Sequence, residues 1–300
     1  MGNDLKMTSW RAAPIARKAG WLALIASMLT VGLITYGSWV RTSGSGLGCP
    51  DWPLCDGSII PVLEGDTAVE FGHRAFAAIT MLFVAAGAWI AWAGRSEDRL
   101  LAKVLCGALV LILFQAVLGG ITVLTELNGS VRLAHLAIAM TTLALLTAGA
   151  IRGLDATGSP YPGVRISSVL AVWTAAVVLI GGSLVASDLG SSCPGLPLCD
   201  ERSSLNAAWI HGAHRTAATL LLFFLIGLGA WLRKHRSTKL ATGLNHTAVL
   251  LIVLQIGIGV SAVSQSLPMY LRIMHVGMAS VIWWAMVTQW LLALKGRVSH

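Results

Sequence analysis

The residues with the greatest chemical potential are histidines, and they repeat. His73-Arg74 recurs as His214-Arg215, 141 positions on, and Arg132-Leu133-Ala134-His135 recurs as Arg272-Ile273-Met274-His275, 140 positions on. These four histidines, with His211, lie within a turn or two of the end of a long apolar run. His235, His246 and His300 fall in or near a basic stretch or at the chain end and carry little functional weight. Neutral imidazole is a ligand for transition metals and for haem iron, and a haem held between two helices needs one imidazole from each side. At a rise of about 1.5 Å per helical residue, His73 and His135 fall at similar depth, as do His214 and His275, so the chain offers two such pairs. A membrane histidine can also simply bond to a neighbouring helix, but that role gives no reason for four of them to recur beside arginines.

The arginines add a second argument. A guanidinium near the membrane is costly unless it is paired or snorkels to the interface. Haem carries propionates, and the planar fork of arginine suits carboxylates. Arg74, Arg132, Arg215 and Arg272 therefore provide two candidate propionate partners for each histidine pair, with snorkelling as the plainer alternative.

Glu70 stands three residues before His73 and shares its helical face, whereas the matching position before His214 is His211. A carboxylate there is a candidate proton-transfer group, or else an ordinary acidic residue at a helix start. Cys49 to Asp56 (CPDWPLCD) recurs as Cys193 to Asp200 (CPGLPLCD), 144 positions on. An oxidising exterior favours a disulfide within each of the pairs Cys49/Cys55 and Cys193/Cys199, as a structural clip or a redox couple; a zinc site is weaker, because no histidine clusters with them. Cys106 reads as a small apolar residue inside a span. Gln115 and Gln255, each four residues before a glycine, read as polar glue between packed helices.

The elements that must carry these residues follow from composition. The 300 residues are 56% hydrophobic and 11% charged, with a mean hydropathy of +0.75. That excludes a soluble enzyme, a collagen-like chain and a disordered chain. Continuous rather than alternating apolar runs exclude a transmembrane barrel. At roughly 20 apolar residues per span, the sequence is all-α with eight transmembrane helices. They are expected at about Gly20 to Val40, Phe71 to Gly94, Val104 to Leu124, Val131 to Ile151, Ile166 to Ser187, Ala207 to Leu232, Gly243 to Ser264 and Tyr270 to Leu294.

The formal charge of +8 reports topology rather than nucleic acid binding. Most basic residues precede the first span, follow the last or lie in alternate loops, among them Lys6, Arg11, Arg95, Arg152, Arg233 and Arg236. The intervening loops carry Asp51, Asp56, Glu64, Asp66, Glu126, Asp188, Asp200 and Glu201. The positive-inside rule then places both termini in the cytoplasm and the histidine pairs toward the outer face. The first apolar run reads as a retained signal anchor. Because the repeat shifts by four spans, residues 1–155 and 156–300 read as two pseudo-symmetric four-helix halves in the same orientation, joined near Gly153 to Gly163.

Over essentially its whole length the chain resembles the haem A synthase family. The resemblance rests on eight spans in two similar halves, the outward cysteine pairs, the Glu-x-x-His-Arg motif at Glu70, His73 and Arg74, and the histidines His135, His214 and His275. It implies that the first half holds haem O, the substrate, between His73 and His135, and that His214 and His275 ligate a haem b cofactor in the second. It implies oxidation of the C8 methyl of haem O to a formyl group, giving haem A, by successive hydroxylations. A role for Glu70 at the substrate site and for the Cys49/Cys55 pair is implied too. His211 offers a competing imidazole near His214. Expected partners are haem O, membrane lipid, an electron donor, haem O synthase and cytochrome oxidase assembly factors; association into a homo-oligomer stays open. The expected location is a bacterial plasma membrane. Two other classes remain on the residues alone: a dihaem cytochrome b exchanging electrons with quinone, and a membrane thiol-disulfide oxidoreductase or assembly factor.

Overall fold

The structure is a computed structural model that describes residues 14–155, 163–200, 203–235 and 239–298. Lys6, Arg11, most of the 153–163 junction, Glu201, Arg236 and His300 lie outside the described residues. Among those described there are eight α-helices: α1 Pro14–Ser43, α2 Gly65–Ala93, α3 Arg99–Leu124, α4 Gly129–Gly153, α5 Val164–Ala186, α6 Leu205–Lys234, α7 Lys239–Ser264 and α8 Met269–Val298. Each is long and apolar enough to cross a bilayer, and the chain is a multi-pass membrane protein.

The helices overrun most of the expected spans. α2 begins six residues before Phe71, with Glu64 at its N-cap. Glu70 is therefore a helix-interior residue one turn before Arg74, not a capping residue. The reason is general: backbone hydrogen bonding continues into the interfacial zone, where polar side chains no longer mark the end of a helix. Local caps set the boundaries. The Asp98 carboxylate accepts from Leu101 N–H, the Asn128 side chain from Ser130 and Val131, and Ser204 from Ala207.

The repeat extends to turn geometry. Glu126 and Leu127, between α3 and α4, are both left-handed (φ 51° and 65°), as are Ser266 and Leu267 between α7 and α8 (φ 59° and 60°). Leu127 N–H bonds to Thr122 O at 2.8 Å and Leu267 N–H to Ala262 O at 2.7 Å. The same tight reversal thus sets the register of α3 on α4 and of α7 on α8.

Two cores of small and aliphatic side chains lie at the end away from the histidines. One joins Ala19, Ala23, Ala88, Leu105 and Leu146 of α1 to α4. The other joins Leu170, Leu225, Ala248 and Met286 of α5 to α8. Without a hydrophobic gradient in lipid, such packing relies on close approach of small residues. Beside the first core the backbones of α1 and α4 touch: a Cβ added to Gly20 would lie 2.7 Å from Gly153 C. The halves meet through α1, α4, α5 and α8, where Trp283 Nε1 donates to Met140 O at 2.8 Å.

Candidate haem-binding and redox site

Each of the four repeated histidines sits on an even-numbered helix against a glycine of the preceding helix. A Cβ added to Gly37 on α1 would lie 3.3 Å from His73 Cε1, and one on Gly119 of α3 would lie 3.6 Å from His135 Cε1. In the second half, a Cβ on Gly181 of α5 would lie 2.8 Å from His214 Cε1, and one on Gly259 of α7 3.1 Å from His275 Cε1. Four glycines therefore make four seats for imidazole rings at matching places in the repeat. Gly119 and Gly259, four residues after Gln115 and Gln255, stand out in the sequence as helix-packing positions but not as seats for imidazoles. Gly37 and Gly181 carry a weaker signal, their shared displacement of 144 positions, the same as that of the cysteine loops.

His214 and His275 face each other with ring centres 6.3 Å apart. An imidazole nitrogen binds a metal at roughly 2 Å with its ring centre about 1 Å behind, so two rings on one metal have centres about 6 Å apart. His214 Nδ1 donates to Val177 O at 3.0 Å, which leaves the Nε2 lone pair as the ligating one. His73 Nδ1, His135 Nδ1 and His275 Nδ1 are buried with no hydrogen-bond partner, a costly arrangement for polar atoms unless something is bound. Among the described residues no cluster of three or more His, Cys, Asp or Glu could hold a bare metal ion. A pair of imidazoles fits instead a metal whose other ligands come from a macrocycle, and the residues present suit haem.

Gln115 Nε2 donates to His135 O at 2.9 Å and Gln255 Nε2 to His275 O at 3.0 Å. Both glutamines thus tie α3 to α4 and α7 to α8 beside the histidines, as polar glue should. His211 is buried, and its Nε2 donates to Leu189 O at 2.9 Å. That bond turns it to the loop after α5, whereas His214 is the imidazole that faces His275.

Both cysteine pairs form disulfides, Cys49–Cys55 and Cys193–Cys199, whereas Cys106 is free. The arginines next to His73 and His214 fasten these loops. Arg74 Nη1 donates to Asp51 O (3.0 Å) and Leu54 O (2.8 Å), and Nη2 to Cys49 O (3.0 Å). Arg215 Nη1 donates to Gly195 O (2.7 Å) and Pro197 O (2.9 Å), and Nη2 to Cys193 O (3.1 Å). Arg132 Nη2 reaches Asp188 at 3.4 Å, and its Nε is buried without a partner. Arg272 stands at the start of α8, within electrostatic reach of Arg41 at the end of α1, as does Arg132.

The halves differ at two places beside their histidines. Glu70 is only 6% exposed and accepts from Arg74 Nε at 3.1 Å; its counterpart is His211. The Tyr36 ring meets His73 edge-on at 5.6 Å, where the second half has Ile180. Tyr36, with Gly32, Trp39, Phe76 and Ile273, lines an open groove of about 320 Å³.

The family model for cytochrome oxidase assembly proteins (COX15-CtaA) matches residues 20–68 and 64–287. A haem A synthase of Symbiobacterium thermophilum is 30% identical over 288 residues, 89% of this chain and 92% of the relative. Another, of Halalkalibacterium halodurans, is 28% identical over 287 residues, 87% of this chain and 93% of the relative. A third, of Geobacillus kaustophilus, is 26% identical over 304 residues, covering 94% and 93%. With the family model matched along most of the sequence, the chain belongs to the COX15-CtaA family of cytochrome oxidase assembly proteins.

Proposed function

We infer that this membrane protein is a haem A synthase: an oxidoreductase of haem A biosynthesis that oxidises the C8 methyl of haem O to a formyl group by successive hydroxylations. The observation that carries this reading is the doubled imidazole seat in two halves, only one of which adds a buried carboxylate beside its histidine. The first half, residues 1–155, would hold haem O between His73 and His135. The second, residues 156–300, would hold haem b through His214 and His275. Held by His214 and His275, haem b would supply one-electron transfer.

The protein's own groups then have separate tasks. His214, fixed by Val177 O, presents Nε2 from α6, and His275 meets it from α8. Arg132 and Arg272 offer guanidinium donors to propionates at the outer ends of α4 and α8. Arg74 and Arg215 reach the propionates with what their loop bonds leave free and otherwise hold the disulfide loops over the sites. Glu70 Oε1 is held by Arg74 Nε, leaving Oε2 as the oxygen that takes or passes a proton near the oxidised carbon. The disulfides serve as clips for the loops. Both termini would be cytoplasmic and the haem sites would face outward, by the distribution of basic loops. An electron donor, haem O synthase and cytochrome oxidase assembly factors complete the set of expected partners.

Haem extraction and chromatography of the purified protein tests the reading. Haem b together with haem O or haem A is the expected result. Two equivalents of haem b and neither of the others would favour a dihaem cytochrome b; no Soret band would favour a thiol oxidoreductase.

A further inference from the structure

The Cys49–Cys55 loop is tied to both sides of the first histidine pair. On the α2 side, Arg74, next to His73, holds three of its carbonyls. The approach to the loop is pinned there as well: Thr67 Oγ1 donates to Gly48 O at 2.8 Å and Ser45 Oγ to Asp66 Oδ1 at 2.8 Å. On the far side the Trp52 indole lies directly on α3, where a Cβ added to Gly120 would sit 2.6 Å from Trp52 Cδ2. Gly119, the adjacent residue, is the seat of His135. The loop thus runs as a strap from beside His73 to beside the seat of His135.

The second half reverses the bulk. Its counterpart of Trp52, 144 positions on, is Leu196, and that of Gly120, 140 positions on, is Val260. Leu196 is 43% and Val260 46% exposed, against 39% for Trp52 and a buried Gly120, so the halves differ in the contact of ring with backbone rather than in the exposure of the loop residue. The arginine tie is common to the two halves, whereas the aromatic tie on a bare helix backbone belongs to the first. Only glycine lets a flat ring approach a helix so closely, and a large rigid ring fastens a loop with little loss of side-chain freedom.

We propose that Trp52 is a positioning residue for the first-half site. Seated on Gly120, it locks the disulfide strap across the mouth between His73 and His135, so that the porphyrin there is retained and water is kept from it. This rests on the reading that the first half holds the substrate porphyrin.

The test uses the full-length protein in lipid nanodiscs. Trp52→Leu with Gly120→Val converts the first-half pair into the second-half one at nearly conserved bulk. The readouts are KM and kcat for haem O, the rate at which haem O passes to apomyoglobin, and the spectrum of second-half haem b. The release rate and KM are expected to rise about tenfold, the scale of a lost aromatic anchor, with haem b content unchanged. Trp52→Phe, which keeps a ring, should recover most of the loss, and Leu196→Ala should leave KM unchanged. Release and KM within twofold of the parent overturn the proposal, as does a change in thermal stability alone. If the double variant fails to fold, Trp52→Leu alone decides: a raised release rate supports the proposal and an unchanged one overturns it. His73→Ala separates the underlying reading, because haem O binding that survives this change removes the first-half site itself.

Discussion

The steric fit between imidazole and glycine makes graded predictions at single residues. A Cβ at Gly181 would stand 2.8 Å from His214 Cε1, which no side chain tolerates without a shift, whereas one at Gly119 would be in ordinary contact with His135 at 3.6 Å. Alanine substitutions should therefore lower haem retention in the order Gly181, Gly259, Gly37, Gly119, the last with little effect. Soret absorbance per mole of purified protein reads this directly, and an equal loss at all four positions would contradict the seat geometry. Glu70 is a different case, because charge rather than shape is at issue. Glu70→Gln keeps an oxygen to accept from Arg74 Nε, so the loop ties and haem content should persist while haem A formation falls by about 10²-fold or more, the usual scale for a lost proton-transfer group. Full haem A production by this variant would remove Glu70 from the chemistry. The histidines and Glu70 were legible in the sequence because polar residues are rare in apolar runs. Gly37 and Gly181 were not, since a glycine in a membrane helix is ordinary until the ring it receives is known.

At the scale of elements, the arginines show what sequence leaves undetermined. Their position at outer helix ends could be read from spacing, but their partners are carbonyls of a loop whose path no local pattern dictates. The paired cysteines on the outer side suggest disulfides, as clips or as redox couples, and the structure adds the bonds themselves and the loops they close. Within the first clip, the Asp51 carboxylate accepts from Asp56 N–H at 2.7 Å and Gly57 N–H at 2.9 Å. The Gly57 bond foremost, helped by that from Asp56, holds its pKa below the ordinary carboxylate value of 3.8. A depressed folded value means that the carboxylate supports the loop above that ordinary value and stops doing so as the pH falls through the lower one. Hydrogen exchange at Asp56 and Gly57 should therefore quicken relative to its intrinsic rate on acidification below about pH 4. In Asp51→Asn that relative protection should be weaker and independent of pH. The second loop has Gly195 at this position and should show no such dependence, so equal acid sensitivity in the two loops would count against the assignment.

For the whole molecule, eight helices and their duplication could be read from hydropathy and displacement, because lipid permits few alternatives to apolar helices. The interface between the halves could not, since apolar side chains facing lipid and apolar side chains facing another helix look alike in sequence. That interface bears on how the two sites cooperate. The halves meet within one chain through α1, α4, α5 and α8, with a direct link from Trp283 to Met140 O. The proposed substrate pair and the proposed electron-transfer pair are thus parts of one packed body, and turnover should need both in the same chain. His73→Ala should lose haem O and keep haem b; His275→Ala should do the reverse; neither should make haem A. Co-expressing the two variants in one membrane distinguishes the routes. If electrons pass within a chain, the mixture stays inactive, because no molecule has both pairs intact. Recovery toward half of the parent's haem A would instead require transfer between chains, and would make a homo-oligomer, rather than the single eight-helix body, the working unit.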